Sequence, residues 1–227
     1  MHWFLLNALS SIKITIEYKQ NKERKIMKRI LLIVDPQNDF ISGSLAVETA
    51  SLKMNRLVDY INKSDDEYVY AYLTADGHTK NHCSFIDNGG EWPVHCVYGT
   101  RGAKIYEPLY NAILKKFKKN YAIAYKGLSS DRDQYSVFDL DEDMNITNSG
   151  GVMLYNALYE LIKDDEIESI DVCGIAGDYC VLNTLKEIIK ILPKNKIRVL
   201  EKFCASIDGG EKLSDFCYYN NVSSVKN

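Results

Sequence analysis

Strand-forming and helix-forming segments alternate along this chain, and that alternation restricts its fold more than any other feature. KRILLIVD (28–35) is a nearly unbroken Leu/Ile/Val run, the pattern of a strand covered on both faces in a parallel sheet. SLKMNRLVDYINK (51–63) follows, with Leu52, Leu57, Val58 and Ile61 at helical spacing. EYVYAYLTAD (67–76) is strand-like, AKIYEPLYNAILKKF (103–117) is a helix starting near Pro108, and YAIAYKG (121–127) is a short strand. VMLYNALYELIKDD (152–165) places Leu154, Ala157, Leu158 and Leu161 on one helical face, and IESIDVCG (167–174) is a strand. A helix from Asp178, a strand at KIRVLEKF (196–203) and a helix near 209–219 complete the series. Such βαβ units predict an α/β, doubly wound (Rossmann-like), mostly parallel sheet with helices on both faces.

Composition limits what that fold can be used for. The 227 residues, 46% hydrophobic, suffice for one sizeable core without disulfide support. Lys+Arg 28 against Asp+Glu 31 leaves a net charge of −3, which argues against a sequence-independent nucleic-acid binder. The longest clean apolar run, Ile30 to Val34, is far short of the ~18–20 residues of a membrane span. The expected partners therefore include no nucleic acid and no membrane; a homo-oligomer is compatible with everything here. None of the six cysteines forms a C-x-x-C pair, so reduced thiols in the cytoplasm are the expectation. The first stretch, MHWFLLNALSSIKITI, faintly resembles a signal peptide but lacks a basic start and is interrupted by Asn7, Ser10, Ser11 and Lys13, which argues against secretion. Residues 1–27 read as an accessory N-terminal extension to a domain spanning 28–227.

In a doubly wound sheet, ligands bind outside the carboxyl ends of the strands. The first strand ends in Asp35, the second in Asp76 and the third in Lys126; the fourth runs into GIAGDYC and delivers Cys180. Free cysteines are usually small buried hydrophobes, and Cys173, inside a strand, fits that description. Cys180 differs, because a thiol in the first turn of a helix meets the positive end of its dipole. A nearby Lys126 ammonium would favour the thiolate further, and Asp35 could take the proton. Asp178 would oppose the thiolate or cap the helix. With no histidine near Cys180, the base must be a carboxylate.

A second constellation lies at Asp76-Gly77-His78 and runs on through His82 to Trp92-Pro93-Val94-His95. Three of the four histidines fall between 78 and 95. Neutral imidazoles with a carboxylate suit zinc, iron or manganese, although spacing alone does not select the three ligands. D-x-H with a distant third histidine leaves positions open for water or substrate, as working sites require.

DPQNDF (35–40), TADGHTKNHCSF (74–85), WPVHCVYGTRGA (92–103), YKG (125–127) and GIAGDYCV (174–181) together resemble the signatures of nicotinamidase/pyrazinamidase, the metal-binding branch of the isochorismatase-like cysteine hydrolases. The resemblance covers about residues 28–220. It implies the isochorismatase-like hydrolase fold, a catalytic triad of Asp35, Lys126 and Cys180, and metal ligands Asp76, His78 and His95, with His82 beside the ligands or among them. It implies one divalent ion, zinc, with iron or manganese as alternatives. Phe40 and Trp92 would sandwich a pyridine ring, with Tyr135 as a further pocket aromatic. A cis peptide before Ala176 would turn the Ala176 and Cys180 N–H groups toward an oxyanion. The implied partner is a small-molecule substrate, and the implied activity is hydrolysis of nicotinamide to nicotinic acid and ammonia through a thioester, in NAD salvage. The rival is a metal-free sibling hydrolase acting on isochorismate or an N-carbamoyl or ureido substrate. Two positions depart from the family, which usually has Trp at Gly77 and Thr at Gly177. Gly77 is expected to widen the pocket mouth, and Gly177 to loosen the cysteine turn.

Overall fold

The computed structural model describes residues 28–64, 68–163 and 167–226; the expected extension at 1–27 lies outside them. Six strands form one sheet: β1 (Lys28–Val34), β2 (Tyr68–Asp76), β3 (Tyr121–Lys126), β4 (Ile167–Ile175), β5 (Ile197–Ala205) and β6 (Ser223–Ser224). Every pairing is parallel, in the order β3-β2-β1-β4-β5-β6. The helices are α1 (Asn38–Ile41), α2 (Ala50–Lys63), α3 (Glu107–Phe117), α4 (Ser149–Ile162), α5 (Leu182–Ile191) and α6 (Glu211–Tyr219). Among the described residues, no helix is long and apolar enough to cross a membrane.

The central strand explains the two-sided cover. Ile30 to Val34 are all fully buried, so consecutive side chains, which point to opposite faces, meet packed neighbours on both. At ~25 cal/mol per Å² of apolar area, each such side chain contributes on the order of 1.5–3 kcal/mol. The sequence reading of α2 needs one correction. Its buried stripe is Ala50, Met54, Leu57 and Ile61, while Leu52 is 51% exposed. At 100° per residue, Leu52 stands ~140° from Leu57 and faces water. Neither the one-turn helix α1 nor the two-residue strand β6 was expected, because segments this short carry no periodicity.

The strand order reverses between β1 and β4, which is where such sheets open a crevice at their carboxyl ends. Glycine lets the two strands meet closely there. Gly174 pairs with Val34, has φ +132°, and a Cβ on it would stand 2.0 Å from the Val34 carbonyl oxygen. The chain then passes a cis peptide between Ile175 and Ala176, the bond that the resemblance implied.

Candidate active site

Asp35 follows β1 directly, with φ +46°, an unfavourable conformation for a non-glycine residue. Its amide donates to the Thr74 carbonyl and its carboxylate accepts from the Thr74 hydroxyl at 2.6 Å. Lys126 and Asp76 are register partners at the ends of β3 and β2, and their side chains form a short ion pair. The same Lys126 Nζ lies 2.8 Å from Asp35 Oδ2 and 3.7 Å from Cys180 Sγ. All four groups are buried.

Burial alone would pull the ammonium down, but the Asp35 and Asp76 carboxylates and the Cys180 thiol hold Lys126 well above its ordinary value. Burial pushes the Cys180 thiol up, against the pull of Lys126. It raises Asp35 too, again opposed by Lys126. For Asp76 the net direction reverses: burial raises it, yet Lys126 and His78 together hold it below the usual carboxylate range. The result is a carboxyl able to hold a proton beside a thiol that keeps one, with a fixed cation between them.

Cys180 sits in a π-helical turn (Gly177–Val181) that leads into α5. Asp178 does not cap this helix. Its carboxylate accepts instead from the amides of Ile207 and Asp208, at 3.0 and 3.1 Å, tying the loop after β5 to the cysteine turn. Gly177 is not loose either. A Cβ there would come within 2.0 Å of the Ser206 hydroxyl, so serine fills the space a side chain would need.

Asp76, His78 and His95 converge, with one ligand atom from each lying within 4.8 Å of the others. Both imidazoles are oriented from behind. His78 Nδ1 contacts the Gly127 carbonyl at 3.0 Å and His95 Nδ1 the Pro93 carbonyl at 2.8 Å. A carbonyl can only accept, so each Nδ1 carries a proton, and in the neutral ring each Nε2 presents a lone pair. The Nε2 atoms lie 3.5 and 4.0 Å from Asp76 Oδ2. Two imidazole nitrogens and a carboxylate oxygen, buried and convergent, fit a divalent transition metal. Burial lowers His95, which favours the neutral ring a metal needs; burial would lower His78 as well, but the Asp76 carboxylate and the Gly127 carbonyl together raise it. His82 is spent otherwise. Its Nδ1 pairs with the Ser84 hydroxyl at 2.7 Å and its Nε2 with the Arg132 carbonyl at 3.2 Å, while its ring lies 3.9 Å from that of His78.

A cavity joins the two groups. Phe40, Trp92, Tyr135, Ala176, Lys126 and Cys180 line it together with Asp76, His78 and His95. Trp92 Nε1 donates to the Tyr135 hydroxyl at 3.1 Å, and Phe40 packs against His95 at 5.5 Å between ring centres. Sequence reasoning missed Tyr179, whose ring meets Trp92 edge-on at 5.0 Å, and Leu45, Val47 and Ile207 in the same wall. It also missed Phe85, fully buried against all three histidine rings. Tyr179 adjoins Cys180 in the sequence, which was the one available hint. The expected wider mouth at Gly77 is absent: Gly77 is buried, and a Cβ there would meet Leu128 at 2.8 Å and Tyr125 at 3.3 Å. Neighbouring side chains have filled the place of a large ring.

The isochorismatase domain model matches residues 29–208. The nicotinamidase of Escherichia coli (strain K12) is 30% identical over 199 residues, covering 79% of this chain and 84% of that protein. The nicotinamidase/pyrazinamidase of Mycobacterium tuberculosis is 34% identical over 167 residues, covering 71% and 79%. Among solved structures, PnC1 from L. infantum in complex with nicotinate superposes with a TM-score of 0.71 at 26% identity, over 88% of this chain and 93% of that one. Its fold, its buried acid–lysine–cysteine group and these matches place the chain in the isochorismatase domain family, as an amidohydrolase of the nicotinamidase/pyrazinamidase kind.

Proposed function

We propose that this chain hydrolyses nicotinamide to nicotinic acid and ammonia through a thioester on Cys180, with a divalent metal, zinc by donor set, held by Asp76, His78 and His95. One observation carries the reading: Lys126 Nζ stands 2.8 Å from Asp35 Oδ2 and 3.7 Å from Cys180 Sγ, in an aromatic cavity that also holds the Asp–His–His set. The two nicotinamidase relatives and the nicotinate-bound neighbour support the substrate class.

Asp35 takes the thiol proton, a short transfer within a buried pair whose charges Lys126 balances. The thiolate attacks the carboxamide carbon while the Ala176 and Cys180 N–H groups hold the oxyanion, an effect worth ~3–4 kcal/mol per donor. Asp35 returns the proton to the departing ammonia. It then takes one from the water that cleaves the thioester, so that Cys180 is regenerated as nicotinic acid leaves. Phe40, Trp92 and Tyr135 fix the ring plane, which places the carboxamide over the sulfur. When bound, the metal supplies a Lewis-acidic point for the pyridine nitrogen. NAD salvage, in the cytoplasm, would be the use of the product.

The test is ammonia release from nicotinamide by the purified protein, with metal analysis of the same sample. Turnover with about one metal per chain is expected. A protein that turns over isochorismate or an N-carbamoyl compound, and leaves nicotinamide untouched, would overturn the reading.

A further inference from the structure

The segment DPQNDF contributes more than its end residues. Gln37 is fully buried, and its side-chain amide is wholly spent on backbone. Nε2 donates to the Asp76 carbonyl and to the Ala103 carbonyl, both at 2.8 Å, and Oε1 accepts from the Asp76 amide at 2.7 Å. The peptide groups on both sides of the Asp76 Cα are therefore gripped by one side chain. Two residues on, Asp39 Oδ2 accepts from the Cys96 amide at 2.7 Å, immediately after His95. Cys96 has φ +46°, a conformation that persists only where the surroundings impose it. The fit around Asp39 is close: a Cβ on Gly102 would fall 2.0 Å from its Oδ2, and one on Gly43 2.3 Å from its Oδ1.

We infer that Gln37 and Asp39 are positioning residues for the metal centre: Gln37 sets Asp76 and Asp39 sets His95, each through backbone alone. This rests on the proposed metal site. Neither residue touches Cys180 or Lys126 in any hydrogen bond of the described residues, so their effect should divide the two halves of the site. Partners that orient ligands typically govern ~10–100-fold in metal affinity. Asp76 also pairs with Lys126 through its other oxygen, while Lys126 has a separate contact with Asp35 at 2.8 Å that should hold it in place.

The experiment compares the parent with Gln37→Met, Asp39→Ala and Asp39→Asn, each shown to be folded by thermal unfolding. Zinc affinity is read by chelator competition, the visible spectrum of the cobalt-substituted protein reports ligand geometry, and the metal-free thiol is titrated with iodoacetamide. Gln37→Met and Asp39→Ala should bind zinc ~10–100-fold more weakly with an altered cobalt spectrum. Their Cys180 alkylation rates should stay within about twofold of the parent. Asp39→Asn keeps an acceptor for the Cys96 amide and should recover much of the loss. Unchanged zinc affinity in folded variants would overturn this inference alone. An equal loss of thiol reactivity would overturn it too, since it would show a general collapse. A parent that binds no zinc would overturn the metal reading as well. Should Gln37→Met fail to fold, the Asp39 pair decides.

Discussion

Asp76 faces two ways: one carboxylate oxygen pairs with Lys126, its neighbour across the β2–β3 register, and the other lies 3.5 Å from His78 Nε2. A single buried carboxylate thus belongs to the lysine–cysteine group and to the metal set at once.

Cys180→Ala should reduce turnover by at least ~10³-fold while metal content stays unchanged, because the thiol contacts Lys126 and no ligand atom. Asp35→Asn and Lys126→Met should each approach the same loss, and combining them should add little, since the three act as a unit. Steady-state ammonia release measures all four. Appreciable turnover in a clean Cys180→Ala preparation would exclude the thioester route.

His95→Ala should strip the metal, and His82→Ala should keep a substantial fraction of it. The reason is geometric: both His82 nitrogens are committed to Ser84 and Arg132. Elemental analysis after dialysis tests this, and equal loss in both variants would make His82 a ligand. A strong chelator should abolish nicotinamide turnover in the parent, with zinc restoring it.

Two glycines at the cysteine turn should respond differently to alanine. Gly174→Ala places a Cβ 2.0 Å from the backbone of Val34 at φ +132°, where nothing can yield, and should cost about 3 kcal/mol or more. Gly177→Ala meets side chains alone, the Ser206 hydroxyl at 2.0 Å, which can rotate away, and Leu213 Cδ2 and Ser206 Cβ at 3.3 Å, and should cost less than Gly174→Ala, about 1 kcal/mol. Denaturant unfolding distinguishes them, and Ser206→Gly should relieve most of what Gly177→Ala costs, the Leu213 contact remaining.

Away from the site, buried Asp171 accepts from Tyr68, Ser169 and Arg198. Burial, followed by the Asp171 charge, holds the Tyr68 phenol far above its ordinary value of 10.0. The folded chain keeps a proton that the unfolded chain releases. The stabilisation is therefore complete below pH ~10 and declines as the pH rises beyond it. Tyr68→Phe should lower stability at pH 7 by about 1–2 kcal/mol and flatten the fall in Tm between pH 10 and 11.

A chain starting at Met27 should fold and hydrolyse nicotinamide like the full one, since no site residue precedes Asp35. Loss of soluble protein would show that residues 1–26 pack onto the domain.

Much of this was legible beforehand for a physical reason. Leu/Ile/Val runs mark buried parallel strands, and in such a sheet the residue ending each run is carried to the ligand side, as Asp35, Asp76 and Lys126 were. The illegible parts depend on who fills a space. Gly77 suggested an opening, but Leu128 and Tyr125 close it. Asp178 suggested a cap, but the loop after β5 offered better-placed amides. Gln37 carried no periodic or charge signal, and its value lies in three backbone bonds that only the folded chain brings within reach.

The strand ends that build the site are far apart along the chain: Lys126 lies 50 residues from Asp76 and 54 from Cys180. Closing loops of that length carries an entropy cost that is recovered only once the strands are paired. Cys180 joins Asp35 and Lys126 only once β4 has paired beside β1. During refolding, the helical signal should therefore return before the amidase does, and the enzyme's own turnover becomes a reporter of the moment β1 to β4 are in order.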